Sequence, residues 1–324
     1  MNAIQLNGLD GFKSLRLVEV EKPRPAANEV LIEVKAAGVN YAEIELIEGR
    51  YPLSKPLPCI MGFEASGVVV ELGSQVTQLK IGDRVTSVVS SGGYAEFATA
   101  NAANAILIPD GIDFAEASTI PIQGLSAYAL LRFAAKPLAY ETLLIQAAAG
   151  GVGLYLVQLA KIMGVKKVIA LASSKEKLKL VKSLGADVVI NYREKTWADQ
   201  VKETTGGKGA DIVLEMASDE IGDESFKLMA PFGRVVYFGA KNYHDTISTE
   251  KMQQLIFKNQ SIIGFAFPTF RADQIKECVA GLLKVIGEGK LKLFANNSFP
   301  LAQVDVAFQA LASRKTVGKV VLIP

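Results

Sequence analysis

The residues with the clearest capacity for chemistry lie in one short stretch, Gln146-Ala147-Ala148-Ala149-Gly150-Gly151-Val152-Gly153. It follows the apolar run Leu143–Ile145 and opens the run Leu154–Lys161, which spaces its apolar residues as a helix does. Small residues let a backbone come close to a ligand. A helix start offers unpaired N–H groups and the positive end of a dipole. Together these suit the pyrophosphate of a dinucleotide. The usual fingerprint has three glycines, and here the positions are Ala148, Gly150 and Gly153. Alanine at the first is compatible only if the turn needs no positive φ there. The glycines alone would equally make a tight turn. Their place between a strand and a helix favours a dinucleotide site.

The next residues bear on which dinucleotide. An NAD site tends to carry an acid about 20 residues on, at the end of the second strand, for the ribose 2′-hydroxyl. This chain has Ala172 there, then Ser173, Ser174, Lys175, Glu176 and Lys177. A 2′-phosphate is repelled by a carboxylate and held by hydroxyls, a helix start and lysines, so the expected cofactor is NADPH. Ser173 and Glu176 also read as a capping box, and Lys177 also reads as one solvated lysine on a lysine-rich helix.

A metal is not expected. The chain has one histidine, His244, and two cysteines, Cys59 and Cys278, far apart. Catalytic zinc usually takes three protein ligands and structural zinc four, mostly Cys and His. His244, between Tyr243 and Asp245, reads as a surface loop residue. In Gly62-Phe63-Glu64 a buried phenylalanine is wedged between glycine and carboxylate, where it can ligate nothing.

These residues must be positioned by two kinds of element. The first ~120 residues hold short β-type runs punctuated by Gly, Asn and Asp, which suits an antiparallel β domain. From Leu143 apolar strands alternate with helices, the rhythm of a doubly wound parallel sheet. The last strand is expected to rejoin the first domain. The expected fold is therefore α/β: a β-rich domain of residues 1–123 and 266–324 and a Rossmann domain of residues 124–265. The chain has 324 residues, Lys+Arg 35 and Asp+Glu 33, a formal charge of +2. That balance gives no whole-surface field for nucleic acid or membrane, so any anion site must be local. No secretory signal is seen, and a reduced, cytoplasmic setting is expected.

At whole-chain scale the sequence resembles the medium-chain dehydrogenase/reductases, and within them the zinc-free, ζ-crystallin-like quinone oxidoreductases. The resemblance is carried by AAGVNYAEIELIEGRYP, GFEASGVVVELG, IGDRV, GGYAEF, QAAAGGVG, VINYRE and ASRKTVGKVVLIP. It implies a GroES-like catalytic domain beside the Rossmann domain. Zinc-containing relatives carry Cys and His where this chain has Asn40 and Phe63. The resemblance assigns Tyr192, Ser173, Lys177 and Arg314 to the 2′-phosphate, and Ser126 to the nicotinamide end. Asn40 and Tyr51 match polar residues lining the nicotinamide and substrate site. Glu45 stands where quinone oxidoreductases often show a second tyrosine, which weakens the inference of a bulky quinone.

The implied reaction is hydride transfer from NADPH to an electrophilic small-molecule acceptor. The nicotinamide half would be held near the ends of the strands in Asp211–Ala217 and Arg234–Ala240, Gly239 among them. Without a metal, Tyr51 and Asn40 are the candidate donors to a developing oxyanion, or else polar residues of a loop. Quinone reduction is the leading reading. Reduction of an enone or 2-alkenal is the alternative, and a non-catalytic NADPH-binding role a second. A homodimer through the edge strand near Ser261–Phe267 is expected.

Overall fold

The computed structural model describes residues 1–51, 56–240 and 246–324, and among these the strands form three sheets, of three, seven and six strands. His244 lies outside the described residues. The chain divides into two compact units, residues 1–123 with 293–324, and residues 124–292.

In the first unit the strands are β1 (Asn2–Leu6), β2 (Leu15–Glu19), β3 (Glu29–Val39), β4 (Cys59–Ile60), β5 (Glu64–Leu72), β6 (Arg84–Val88), β7 (Phe97–Asn101) and β8 (Ile106–Leu107). Helix α1 (Tyr41–Ile47) follows β3, and α2 (Phe114–Ala117) follows β8. β3 is the hub, pairing antiparallel with both β5 and β7. Its residues Val30, Leu31 and Ile32 are fully buried, as expected for a strand covered on both faces.

The second unit is a six-stranded parallel sheet. Its strands are β9 (Thr142–Ile145), β10 (Lys167–Ala172), β11 (Val188–Asn191), β12 (Ala210–Glu215), β13 (Met229–Tyr237) and β14 (Ser261–Gly264). Their order is β11-β10-β9-β12-β13-β14, so the direction of winding reverses between β9 and β12. Ligands bind such sheets at the carboxyl ends of the strands, at that reversal. The helices are α3 (Leu125–Ala129), α4 (Gly151–Ile162), α5 (Lys175–Ser183), α6 (Trp197–Thr204), α7 (Asp219–Lys227), α8 (Thr249–Phe257) and α9 (Ala272–Gly287).

The chain then returns to the first unit through β15 (Asn297–Pro300), α10 (Val304–Ala312) and β16 (Val320–Ile323), which pairs antiparallel with β3. The expected boundary at residue 266 is corrected to 293. Helix α9 packs against α3 and buries Cys278, Leu282 and Ile286, so 266–292 completes the core of the second unit.

Candidate active site

The glycine turn joins β9 to α4. Ala147 takes the left-handed conformation at φ 45°, and Ala148 does not. The first fingerprint position therefore tolerates a Cβ, and the strain falls one residue earlier. The Gly150 N–H closes the turn on the Ala147 carbonyl at 2.8 Å, and the Ala148 N–H donates to the Leu171 carbonyl at 3.0 Å. At Gly153 a Cβ would overlap the Ala147 carbonyl and the Ala148 backbone, so only glycine lets α4 sit this close to the turn. Gly150 is the N-cap of α4, and among the described residues no side chain caps the helix. The first-turn N–H groups of Gly151, Val152 and Gly153 thus have no side-chain acceptor among the described residues. That arrangement fits a pyrophosphate.

The carboxyl ends of β10 and β11 lie side by side, with Ala172 paired to Asn191. The Tyr192 N–H donates to the Ala172 carbonyl at 3.2 Å. Ala172 and Ser173 are buried, and Lys177 lies on the first turn of α5. Burial lowers the Lys177 pKa; nearby Tyr192 opposes that shift and the Arg193 guanidinium adds to it. Two cations thus sit close together at the end of β11. Arg193 was not singled out by sequence reasoning, although it adjoins Tyr192 in the same motif. The helix cap also differs from expectation. Ser174, not Ser173, accepts from the Lys177 N–H, at 3.3 Å. The capping-box reading of Ser173 with Glu176 is therefore corrected, because the helix begins one residue later.

Sequence reasoning also passed over Glu215. It ends β12, is buried, and accepts from the Ala217 and Ser218 N–H groups, each at 2.9 Å, and from the Gln146 amide. The Gln146 oxygen accepts in turn from the Met216 and Ala217 N–H groups, at 3.2 and 3.0 Å. The carboxyl ends of β9 and β12 are locked together here, and Ser218 and Asp219 both sit at φ 56°. Strain of this kind persists only where surroundings over-determine it. Gly239, at φ 82°, follows β13 beside Met216. Ser126 is half-buried on α3, which packs against α4 and α9.

In the first unit, Asn40 caps α1 at the centre of a buried polar network. Its side-chain amide donates to Glu64 at 3.0 Å and to Glu43 at 3.4 Å, and its oxygen accepts from Lys319 at 2.7 Å. Lys319 also forms an ion pair with Glu64, and both are fully buried. The Ile122 N–H donates to the second Glu64 oxygen at 3.0 Å. A Cβ on Gly38 would clash with Lys319 and Glu64, so that glycine makes room for the pair. Glu43 receives the Asn40 N–H at 2.8 Å and the Tyr94 hydroxyl at 2.6 Å. Its other oxygen is buried and unpartnered. Burial pushes the Glu43 pKa up to about 7, against those hydrogen bonds and the Lys319 charge. Asn40 as an oxyanion donor is therefore corrected: both its amide hydrogens point at carboxylates.

Tyr51 is half-buried, its ring 6.1 Å from that of Phe63. Phe63 is half-buried too, rather than buried as expected. Glu45 is buried and held by Arg50 at 2.8 and 3.2 Å, while its carbonyl accepts from the Arg50 and Tyr51 N–H groups. It anchors the chain that leads to Tyr51. Arg314 is exposed at φ 56° shortly after α10. The donor set does not fit zinc. Phe63 presents carbon, Glu64 is committed to Lys319 and Asn40, and no group of three or more His, Cys, Asp or Glu able to hold a metal occurs among the described residues.

A family model described as "Alcohol dehydrogenase GroES-like domain" matches residues 26–110, and one described as "Zinc-binding dehydrogenase" matches 151–284. The quinone oxidoreductase of Homo sapiens is 32% identical over 326 residues, spanning 100% of this chain and 98% of the relative. The structure of Escherichia coli quinone oxidoreductase complexed with NADPH superimposes with a TM-score of 0.91 at 31% identity, over 100% of both chains. A mycobacterial protein complexed with NADPH does so with a TM-score of 0.91 at 34% identity, again over 100% of both. The chain belongs to the quinone oxidoreductase family of the medium-chain dehydrogenase/reductases, and is an oxidoreductase of that family.

Proposed function

We propose that this protein is an NADPH-dependent reductase of quinones that works without zinc. The observation that carries the reading is the end of β10, where Ala172 replaces an acid and Lys177, Tyr192 and Arg193 gather. Such a site repels no phosphate and supplies two cations and two hydroxyls to one. Gly151, Val152 and Gly153 receive the pyrophosphate on their N–H groups. Ser173, Lys177 and Tyr192 hold the 2′-phosphate, joined by Arg193. Arg314 is assigned to the same phosphate by resemblance alone, and so is Ser126 to the nicotinamide end. The Glu215 lock fixes the strand ends near Gly239 that take the nicotinamide half.

When bound, NADPH supplies a hydride to an acceptor that is already electrophilic. The Tyr51 hydroxyl donates to the acceptor oxygen as charge builds on it, and Asn40 acts by position, holding α1 to Glu64 and Lys319. A Tyr51→Phe variant should lose about 10²–10³ in rate; full activity would remove Tyr51 from this role. A symmetric dimer through β14 belongs to the same reading, since β14 is the outermost strand with Phe265, Phe267 and Phe270 clustered just after it. The test is NADPH oxidation with a small quinone and with a 2-alkenal, NADH run in parallel. Faster quinone turnover with NADPH supports the proposal. Faster alkenal turnover makes the protein a C=C reductase, and tight NADPH binding with neither turned over makes it a binding protein.

A further inference from the structure

At the end of the sheet away from the glycine turn, β13 leaves its partner. Met229 pairs with Ala210 and the next pair is Arg234 with Ile212, so Ala230–Gly233 bulge out of the ladder. The bulge holds Phe232 at φ 61° with 78% of its surface exposed. A bulky residue at positive φ is an outlier, and bulges serve to re-aim side chains. Here the strain presents an aromatic ring to solvent, where it gains nothing from the protein's own core.

Hydrogen bonds place other apolar groups around it. The Phe232 N–H donates to the Lys258 carbonyl at 2.8 Å, which puts the bulge beside Ile256 and Phe257, exposed 66% and 83%. Asp211, next to Gly233, accepts from the Thr142 N–H at 2.8 Å, which brings in Tyr140, exposed 77%. Arg234 binds the Ala135 and Lys136 carbonyls at 2.7 and 3.0 Å, which brings in Leu138. These side chains form one patch across the amino ends of β9, β12 and β13.

Its charge has one sign. The acids within it are already neutralised, Glu141 by Arg234 and Asp211 by Lys208. Lys136, Lys166 and Lys258 have no carboxylate partner among the described residues, and Lys166 is tied to this loop through its N–H to the Ala139 carbonyl at 2.8 Å. A symmetric contact between two copies would set lysines against lysines. We propose that this patch docks on an anionic phospholipid surface, with Phe232, Phe257 and Tyr140 entering the interfacial region and the lysines meeting lipid headgroups. This is surface attachment, not spanning; among the described residues no helix is long and apolar enough to cross a membrane. The turn at Gly150 lies at the other end of the sheet.

The test is co-sedimentation with phosphatidylcholine vesicles, with and without phosphatidylserine, at low and high salt. Binding should require phosphatidylserine and weaken as salt screens the lysines. Lys136→Glu and Lys166→Glu should each weaken it about fivefold. Phe232→Gly with Phe257→Ser should weaken it about tenfold or more, glycine being chosen because it accepts the left-handed backbone. Unchanged melting temperatures confirm folded variants, and the lipid and salt dependence of the unmodified protein needs no variant at all. Absence of binding, equal binding to phosphatidylcholine alone, or a concentration-dependent dimer dispersed by the same substitutions would overturn the proposal.

Discussion

Two buried carboxylates hold the two units in different ways. Glu64 faces a full cation, Lys319, and shares its pocket with a second acid, Glu43. Glu215 accepts from two backbone N–H groups and from the Gln146 amide, which also donates to Ser225. The first arrangement ties distant chain segments, since Lys319 and Glu64 lie 255 residues apart. The second shapes one strand end. Ionic pairing in a dry core is fragile to loss of one partner, whereas a carboxylate among N–H dipoles loses its partners one at a time. The ionic cluster is therefore where stability and pH sensitivity concentrate, and the Glu215 cluster is where the carboxyl ends of β9 and β12 are held together.

The largest expected effect follows from stranding the Glu64 charge. Lys319→Met should cost about 3–5 kcal/mol of stability, read from urea unfolding, with the double variant Lys319→Met/Glu64→Leu recovering part of it. Little loss in the single variant would mean the pair is not a dry ion pair. Next comes Glu43. Its folded pKa of about 7 stands above its ordinary 4.5, so the folded state holds the proton more tightly. Its contribution is complete below about pH 4.5 and lost as pH rises through about 7, roughly 3 kcal/mol across that window. Glu43→Gln, which fixes the neutral form, should flatten this fall; an unchanged pH profile would place the titration elsewhere.

Smaller effects belong to the second unit. Glu215→Gln weakens charge-assisted hydrogen bonds worth about 1.5–3 kcal/mol and should raise the NADPH dissociation constant while leaving the melting temperature less affected than Lys319→Met does. If the substitution lowers melting temperature but not affinity, Glu215 is a stability residue only. Smallest is Arg193→Ala, a few-fold loss in NADPH affinity with NADH binding unchanged.

The Rossmann half was legible because apolar runs such as Leu143–Ile145, Val168–Leu171 and Ile212–Leu214 follow each other at strand length with helical spacing between them. The glycine turn was legible for the same local reason. The ionic cluster was not. Lys319 stands in Gly318-Lys319-Val320 like any surface lysine, and its burial depends on a partner in β5 and on the absence of a Cβ at Gly38. Glu215 ends an apolar strand, a weak signal that gains meaning only when Gln146 arrives from β9. Asn40 was found, but its direction was set by Glu43 and Glu64, one of them 24 residues away. Cap position and unit boundary were misplaced because Ser173 and Ser174 cap equally well on paper, and because α9's packing partner cannot be read from its own residues.

The most direct measurement is calorimetric titration of the protein with NADPH and with NADH, repeated on Lys177→Ala. The phosphate reading of the β10 end requires NADPH to bind at least about tenfold more tightly, and requires most of that margin to vanish in the variant. Equal affinity for the two dinucleotides, or binding of neither, would contradict it.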